Sequence, residues 1–536
     1  MEKYVVFTGS FNPPTKAHCF ALKTAMEAVG AERGCFLPVC DACLEKKMIK
    51  AMQRLALKSD VRIKMLESLC SENEGMEVSD YEVKTGDSDH TYKTLLYFTK
   101  SHPNEEIYAL YGADKLKNIP HWHNADELLR EIHFVVFDRA DLNAEKLIAQ
   151  SSLLSKYKDH FIILQASEDF TDVSASKVRE KFLQGDKSYR DMLTPSVADL
   201  LAEIDLDQYP EPTVYDWIDL MLKGGPYDKA AADKKIYKLN KEIFKTMDLS
   251  SMLDGTKLLS SVTGEQFEHT IKCPCAVPEI EKNDDILGTV RSMKMKHLNP
   301  VIISDTCFSR ACGFYDQGDF CTFESELCRI STLSQSLYKF GSPRLKCVHD
   351  SDVNLENKYP LTLDFPTRFC GSRNIRKTSA DMIYTPDVEF IRGGAKNGYR
   401  LLDDKDRVTC DVLSVPSVDL TKKHKSNHIE DFDYDNGISD AVWIQSEILR
   451  AAVHCAVEMG HDAVILSSFG TGYHFPLEAS CMAIRLALFN NIHSHLKNVA
   501  IVAKQSRNYQ KEFWPGFDDP NLPSAYENVT PFFKHQ

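Results

Sequence analysis

The sequence predicts an α/β protein: a doubly wound, mostly parallel sheet in the first two hundred residues, with a second α/β domain behind it. Three observations carry this expectation. Short runs rich in β-branched and aromatic residues alternate with segments whose apolar residues recur every three or four positions. Glycines close two of the early runs, at Gly9 and Gly112. Proline and glycine then cluster between about 205 and 228, after which the alternation begins again. The expected organisation is a domain over 1–205, a linker over 206–228 and a second domain over 229–536.

Each element has its own justification. Tyr4, Val5, Val6, Phe7 and Thr8 read as a buried strand that Gly9 ends, and Pro13 and Pro14 cannot continue a ladder. From Thr15 the period changes, placing Cys19, Leu22, Met26 and Val29 on one helical face. Residues 35–39 form the second strand, and 61–69 a helix striped by Val61, Met65, Leu66 and Leu69. A strand at 78–83, a helix at 91–99 and a strand at 106–114 follow. A helix at 127–132, strands at 133–137 and 161–165, and helices at 174–183 and 196–204 complete the domain. Ligands of such sheets sit beyond the carboxyl ends of the strands, the edge on which Gly9 and Gly112 fall. The turn after the first strand presents backbone N–H groups and a positive helix end to an anion, with Thr15 and His18 beside it.

Composition narrows the function classes. With 536 residues the chain exceeds one ordinary core, and 43% hydrophobic with 26% charged residues is a soluble globular balance. A net charge of −14 argues against general nucleic-acid or membrane-surface binding, while leaving room for a nucleotide in a locally positive pocket. No apolar run approaches about 18 residues, so no membrane span is expected. The chain enters its first strand without a basic and apolar leader, so no signal peptide is expected. Its 16 cysteines lie mostly within apolar patterns, as reduced thiols of cytosol or nucleus do. The close pairs Cys40/Cys43 and Cys273/Cys275 lack a partner at zinc-site spacing, so no resident metal is expected.

Gly9-Ser10-Phe11-Asn12-Pro13-Pro14-Thr15-Lys16-Ala17-His18 resembles the GSFxPxT/HxGH signature of the HxGH-type nucleotidylyltransferases, especially the nicotinamide/nicotinate mononucleotide adenylyltransferases. Ala17 replaces the last glycine. Further segments match that family in order. Pro38-Val39-Cys40-Asp41 with Lys46-Lys47 resembles PVxDxYxKK, and Arg62 with Met65 resembles RxxM. His90 to Leu95 resembles YTxxTL, and Gly112-Ala113-Asp114 with Trp122 resembles GxD…W. Val173 to Arg179 resembles I-S-S/G-T-x-I/V-R, with Ser176 in the threonine position.

This resemblance implies a Rossmann-like nucleotidylyltransferase domain that moves an adenylyl group from ATP to a pyridine mononucleotide, with Mg²⁺ accompanying the ATP. Thr15 and His18 would donate to the ATP phosphates, and Ser174, Ser176 and Arg179 would hold the β- and γ-phosphates. Gly9, Ser10, Phe11, Asn12, Thr91 and Gly112 would line the nucleotide site. Asp114 would take a ribose or amide, Trp122 would stack on the pyridine, and Lys46 or Lys47 would meet the mononucleotide phosphate.

The second half repeats the alternation, with strands at 301–303, 381–384, 412–415, 463–466 and 499–502 and helices at 324–338, 441–459 and 477–489. The charged run 422–435 reads as a solvated loop. Residues 382–390, 414–417 and 464–472, with 323–331, resemble the microbial-type poly(ADP-ribose) glycohydrolases, which are macrodomain-like. The implied ADP-ribose or NAD site uses Glu324 and a diphosphate loop of Gly470, Thr471 and Gly472. Two departures stand out: the segment Ala311 to Asp319 stands in place of a glycine triplet, and Ser325 replaces the glutamate that would act as acid. Glu326, about 200° round the helix, cannot substitute for it. Two further readings stay open: a scaffold with decayed pockets, or an adenylyltransferase with another acceptor such as phosphopantetheine or FMN.

Overall fold

The structure, a computed structural model, describes residues 2–86, 91–138, 143–165, 172–263, 280–306, 311–318, 322–340, 363–364, 379–417, 434–470, 477–489, 496–503, 513, 515, 517 and 518. It separates into two compact units, Met1–Leu220 and Met221–Gln536.

The first unit is built on β1 (Glu2–Gly9), β2 (Arg33–Pro38), β3 (Met76–Val78), β4 (Glu105–Gly112), β5 (His133–Asp138) and β6 (Phe161–Gln165). These strands run parallel in the order β3-β2-β1-β4-β5-β6, a Rossmann-like arrangement. The period of two divides the strand residues between two layers. Val5, Phe36, Leu110 and Val135 pack on one face with Leu22, Met26, Met65 and Val197. Tyr4, Val6, Cys35, Ala109, Phe134 and Val136 pack on the other with Leu95, Phe98, Leu128 and Ile148. Each fully buried side chain of this kind contributes about 1.5–3 kcal/mol, enough to set the register of every strand. Strand order reverses between β1 and β4, so a crevice opens beyond Gly9 and Gly112.

Two local expectations need correction. The expected strand at 78–83 is three residues, Met76–Val78, after which Tyr81–Thr85 turns into a short helix capped by left-handed Gly86. Glu82 drives the change, because its buried carboxylate accepts from Thr94 Oγ1 at 2.9 Å. Within the 206–228 segment, Val214–Leu222 is helical, burying Ile218 and Met221.

The second unit holds β7 (Lys257–Thr263), β8 (Ile280–Asn283), β9 (Pro300–Thr306), β10 (Leu363–Asp364), β11 (Ser379–Phe390), β12 (Val408–Pro416), β13 (Ala463–Ser467) and β14 (Asn498–Val502). The sheet order is β10-β11-β12-β9-β13-β14-β8, with β7 also on β11. Strands β12, β9, β13, β14 and β8 are parallel, while β11 runs antiparallel to β12. Helices Tyr434–Glu458 and Leu477–Phe489 bury Leu449, Val453, Met482 and Leu486 against one face. Strand β11 is longer than expected because Pro386 is absorbed by a bulge between Thr385 and Val388. The expected helix 324–338 is two, Phe323–Ile330 and Leu333–Tyr338. Ser331 leaves the helix to bridge Phe390, and Thr332 N–H donates to Glu389 O at 3.0 Å.

A buried polar hub ties helix Pro226–Phe244 to this unit's core. Arg329, fully buried, binds the equally buried Asp233 and is flanked by the rings of Tyr315 and Tyr399 at 5.9 and 5.8 Å. Glu326 accepts from Arg329 and, at 2.8 Å, from Tyr399 Oη. Asn240 donates to Tyr315 Oη at 2.7 Å and to Arg329 O at 2.9 Å, and accepts from Arg392 Nε at 2.6 Å.

Candidate active site

The first strand ends where the backbone must make a tight approach. A Cβ on Gly9 would lie 2.8 Å from the Phe11 ring, so only glycine lets that ring close over the strand end. Phe11 sits edge-on to Phe7, Phe36 and His18, with centroids at 5.3, 5.2 and 5.2 Å. Asn12, 1% exposed, clamps the loop opposite: its Nδ2 donates to Leu55 O at 2.9 Å, and its Oδ1 accepts from Leu57 N at 3.0 Å.

Arg62 joins the walls from below. It is fully buried, donates to the carbonyls of Leu57, Ser10 and Val39 at 2.9, 3.0 and 2.8 Å, and pairs with Asp41 at 2.9 Å. Arg62→Met is expected to destabilise the first unit by about 3 kcal/mol, since three carbonyls lose their donor. A lower denaturant midpoint at unchanged m-value checks it.

Helix Lys16–Val29 opens at Thr15, and here geometry decides a tautomer. Thr15 N–H donates to His18 Nδ1 at 3.0 Å, and Thr15 Oγ1 lies 2.9 Å from the same nitrogen. Nδ1 is therefore an acceptor, and the neutral ring carries its proton on Nε2. Burial, then the Lys47 charge, pushes the His18 pKa down to about 4. The unfolded chain thus takes up this proton first. Stability tied to His18 is complete above about pH 6.5 and is lost as pH falls toward 4. A ¹⁵N titration of the ring is expected to have its midpoint near 4, with the Nε2–H tautomer above it. A midpoint near 6.5 would contradict this geometry.

Helix Ala175–Leu183 brings a second N-terminus to the same place. Its cap, Ser174, accepts from Lys177 N at 3.2 Å. Arg179, 7% exposed, donates to Asn12 O at 2.7 Å and reaches Ser176 Oγ at 3.2 Å. Ser10, Phe11, Asn12, His18, Lys47, Gln53, Ser174, Ser176 and Arg179 line one cavity of about 190 Å³. Among the described residues its lining holds an imidazole, hydroxyls and two cations but no carboxylate. Lys47 donates to Ser10 Oγ at 3.0 Å, and its pKa is lowered by burial and then by Lys115 and Arg179. Lys47 and Arg179 thus bring positive charge to a place where two helix N-termini converge, on an otherwise acidic chain.

The expected site residues divide accordingly. Ser10, Phe11, Asn12, His18, Ser174, Ser176 and Arg179 meet in the cavity. Thr15 lies beside them, 1% exposed, with its hydroxyl 2.9 Å from His18 Nδ1. Gly9 lies behind Phe11, and Lys46 is exposed while Lys47 reaches the lining. Gly112, the exposed Asp114 and the half-buried Trp122 stand at the end of β4, outside this cavity but on the same sheet edge. The Asp114 carboxylate raises the proton affinity of Lys47, against the larger lowering by burial and by Lys115 and Arg179. Trp122 packs edge-on to Tyr111 at 5.6 Å. Thr91 opens helix Thr91–Ser101, and its side chain lies outside the described residues. Gln53 was not anticipated, and no sequence pattern marks it.

In the second unit Glu324 is fully buried and accepts from Thr306 Oγ1 at 3.0 Å, at the end of β9. Ser325 is fully buried too, its hydroxyl donating to Thr322 O at 2.8 Å. Gly470 is left-handed at φ 83°, and its N–H donates to Asp305 Oδ2 at 3.2 Å, so that N–H is committed to a carboxylate rather than open to phosphate. Thr471 and Gly472, Cys273 and Cys275, and 422–433 of the charged run lie outside the described residues. Among the described residues no three His, Cys, Asp or Glu side chains are grouped to hold a metal, and no helix is long and apolar enough to cross a membrane.

The family model described as cytidylyltransferase-like matches residues 6–181, about a third of the chain. More particularly, the chain is 28% identical over 187 residues to the probable nicotinate-nucleotide adenylyltransferase of Clostridium tetani, covering 35% of this chain and 90% of that one. Among solved structures, the Plasmodium falciparum nicotinic acid mononucleotide adenylyltransferase complexed with NaAD is 17% identical with a TM-score of 0.31, covering 39% of this chain and 99% of that one. The poly(ADP-ribose) glycohydrolase of Deinococcus radiodurans in complex with ADP-ribose is 15% identical with a TM-score of 0.37, covering 50% of this chain and 95% of that one.

Proposed function

We propose that the first unit transfers an adenylyl group from ATP to nicotinate or nicotinamide mononucleotide, forming the dinucleotide and pyrophosphate. One observation carries this: two helix N-termini, the His18 imidazole and the Arg179 guanidinium converge on one cavity. A phosphate oxygen of the mononucleotide attacks the α-phosphorus, the bond to the β-bridging oxygen breaks, and pyrophosphate leaves with the electron pair. An ionised phosphate has no proton to lose, so no general base is needed. A histidine held near pKa 4 suits that chemistry, because at neutral pH it is purely a donor from Nε2 to the charge developing on the α-phosphate. Ser174, Ser176 and Arg179 hold the leaving pyrophosphate, and Lys47 screens the approaching acceptor phosphate. Asp114 would take the ribose or the amide, and Trp122 would stack on the pyridine. Magnesium would enter as part of the ATP substrate, bridging its phosphate oxygens.

For the second unit we infer a macrodomain-like module that binds an ADP-ribose-containing molecule without hydrolysing it. Ser325, buried and bonded to Thr322 O, leaves no acid at the expected position, and Glu326 is committed to Arg329 and Tyr399.

Pyrophosphate release from ATP tests the first reading, with each mononucleotide and phosphopantetheine as acceptors. Release with a pyridine mononucleotide supports it; release only with phosphopantetheine moves the acceptor; none supports the scaffold. For the second unit, ADP-ribose at 100 times its dissociation constant should stabilise the fold by about 2.7 kcal/mol.

A further inference from the structure

We propose that Gln53 is a positioning residue for the adenylyl transfer assigned above, aiming the Arg179 guanidinium at the ATP phosphates. Gln53 Oε1 accepts from Arg179 Nη2 at 2.7 Å, a shorter contact than the 3.2 Å from the same nitrogen to Ser176. With Asn12 O on Nη1 at 2.7 Å, it fixes the plane of the fork. Without Gln53, Nη2 keeps only the longer hydroxyl contact.

The loop that delivers Gln53 is built for placement. Met52 and Leu55 on either side are left-handed, at φ 52° and 74°, conformations that non-glycine residues rarely adopt. Such backbone persists only where its surroundings over-determine it, and here they do. The Asn12 amide grips the loop at Leu55 and Leu57, and Arg54 reaches out to the Leu206 and Tyr209 carbonyls. Gln53 itself is exposed, so it packs no core. An amide carbonyl holds the guanidinium without neutralising it, which leaves the full charge for phosphate.

Isothermal calorimetry with ATP and steady-state kinetics on Gln53→Ala, Gln53→Glu, Arg179→Ala and the double alanine variant test the idea. Gln53→Ala should weaken ATP binding and lower kcat/KM for ATP about tenfold, with the mononucleotide KM unchanged. Its melting temperature should stay within about 2 °C of wild type. Gln53→Glu keeps an acceptor but pairs the charge, so it should lose at least as much. The double variant should match Arg179→Ala alone, because Gln53 acts only through that residue. Unchanged ATP affinity in Gln53→Ala, wild-type behaviour in Gln53→Glu, or additive losses would each overturn the proposal. The binding arm needs no acceptor. A wild-type protein that binds ATP but transfers nothing refutes the assigned reaction while the Gln53–Arg179 coupling is still measured, and one that does not bind ATP refutes both.

Discussion

Replacing His18 by alanine is expected to lower kcat for adenylyl transfer by about 10²–10³-fold, the loss typical of one preorganised donor to a developing oxyanion. The ATP KM should move little, because Nε2 contributes most as charge builds at the α-phosphate. The substitution is not silent for the fold. Thr15 N–H loses its acceptor at the start of Lys16–Val29, which costs about 1 kcal/mol, as the loss of a helix cap does. Pre-steady-state turnover and a melting curve on one sample separate these effects. Full activity in the alanine variant would remove the imidazole from the reaction and the proposed mechanism with it.

Arg329→Met is expected to have the largest effect on stability, about 3–5 kcal/mol, because breaking a buried pair strands a charge. Asp233, fully buried, would lose its counterion, and Ser325, Glu326, Tyr315 and Tyr399 would lose the cation they surround. Urea unfolding followed by circular dichroism reads the shift in midpoint. Adding Asp233→Leu should recover part of the loss, because apolar replacement of both partners removes the stranded charge. A shift below about 1 kcal/mol would mean that the pair is not the anchor of this unit.

Local pattern revealed the first unit well, because parallel strands buried on both faces are continuous apolar runs such as Tyr4 to Phe7 and Phe134 to Val136. The turn after Gly9 and the cap at Ser174 were legible for the same reason: their chemistry is carried by neighbours in sequence. Failures came where distant partners decided. Val78 and Val83 suggested a strand, but the bond from Thr94 to Glu82 favours a helix over Tyr81–Thr85. Ser331 stops a helix because Phe390, far along the chain, takes up its backbone. Only the geometry brings the Thr15 hydroxyl to His18 Nδ1. Arg62 and Gln53 act through carbonyls and a guanidinium brought close by the fold, which periodicity cannot report.

The helix Pro226–Phe244 also decides where this chain can be cut. Asp233 and Asn240 reach from it to Arg329 and Arg392, so this helix is part of the second unit's interior. A fragment begun at residue 245 would take the Asp233 carboxylate from Arg329 and the Asn240 carbonyl from Arg392, and should be recovered insoluble. One begun before Gly225, which precedes the helix, keeps both anchors and is the span to express for crystallography or ligand screening.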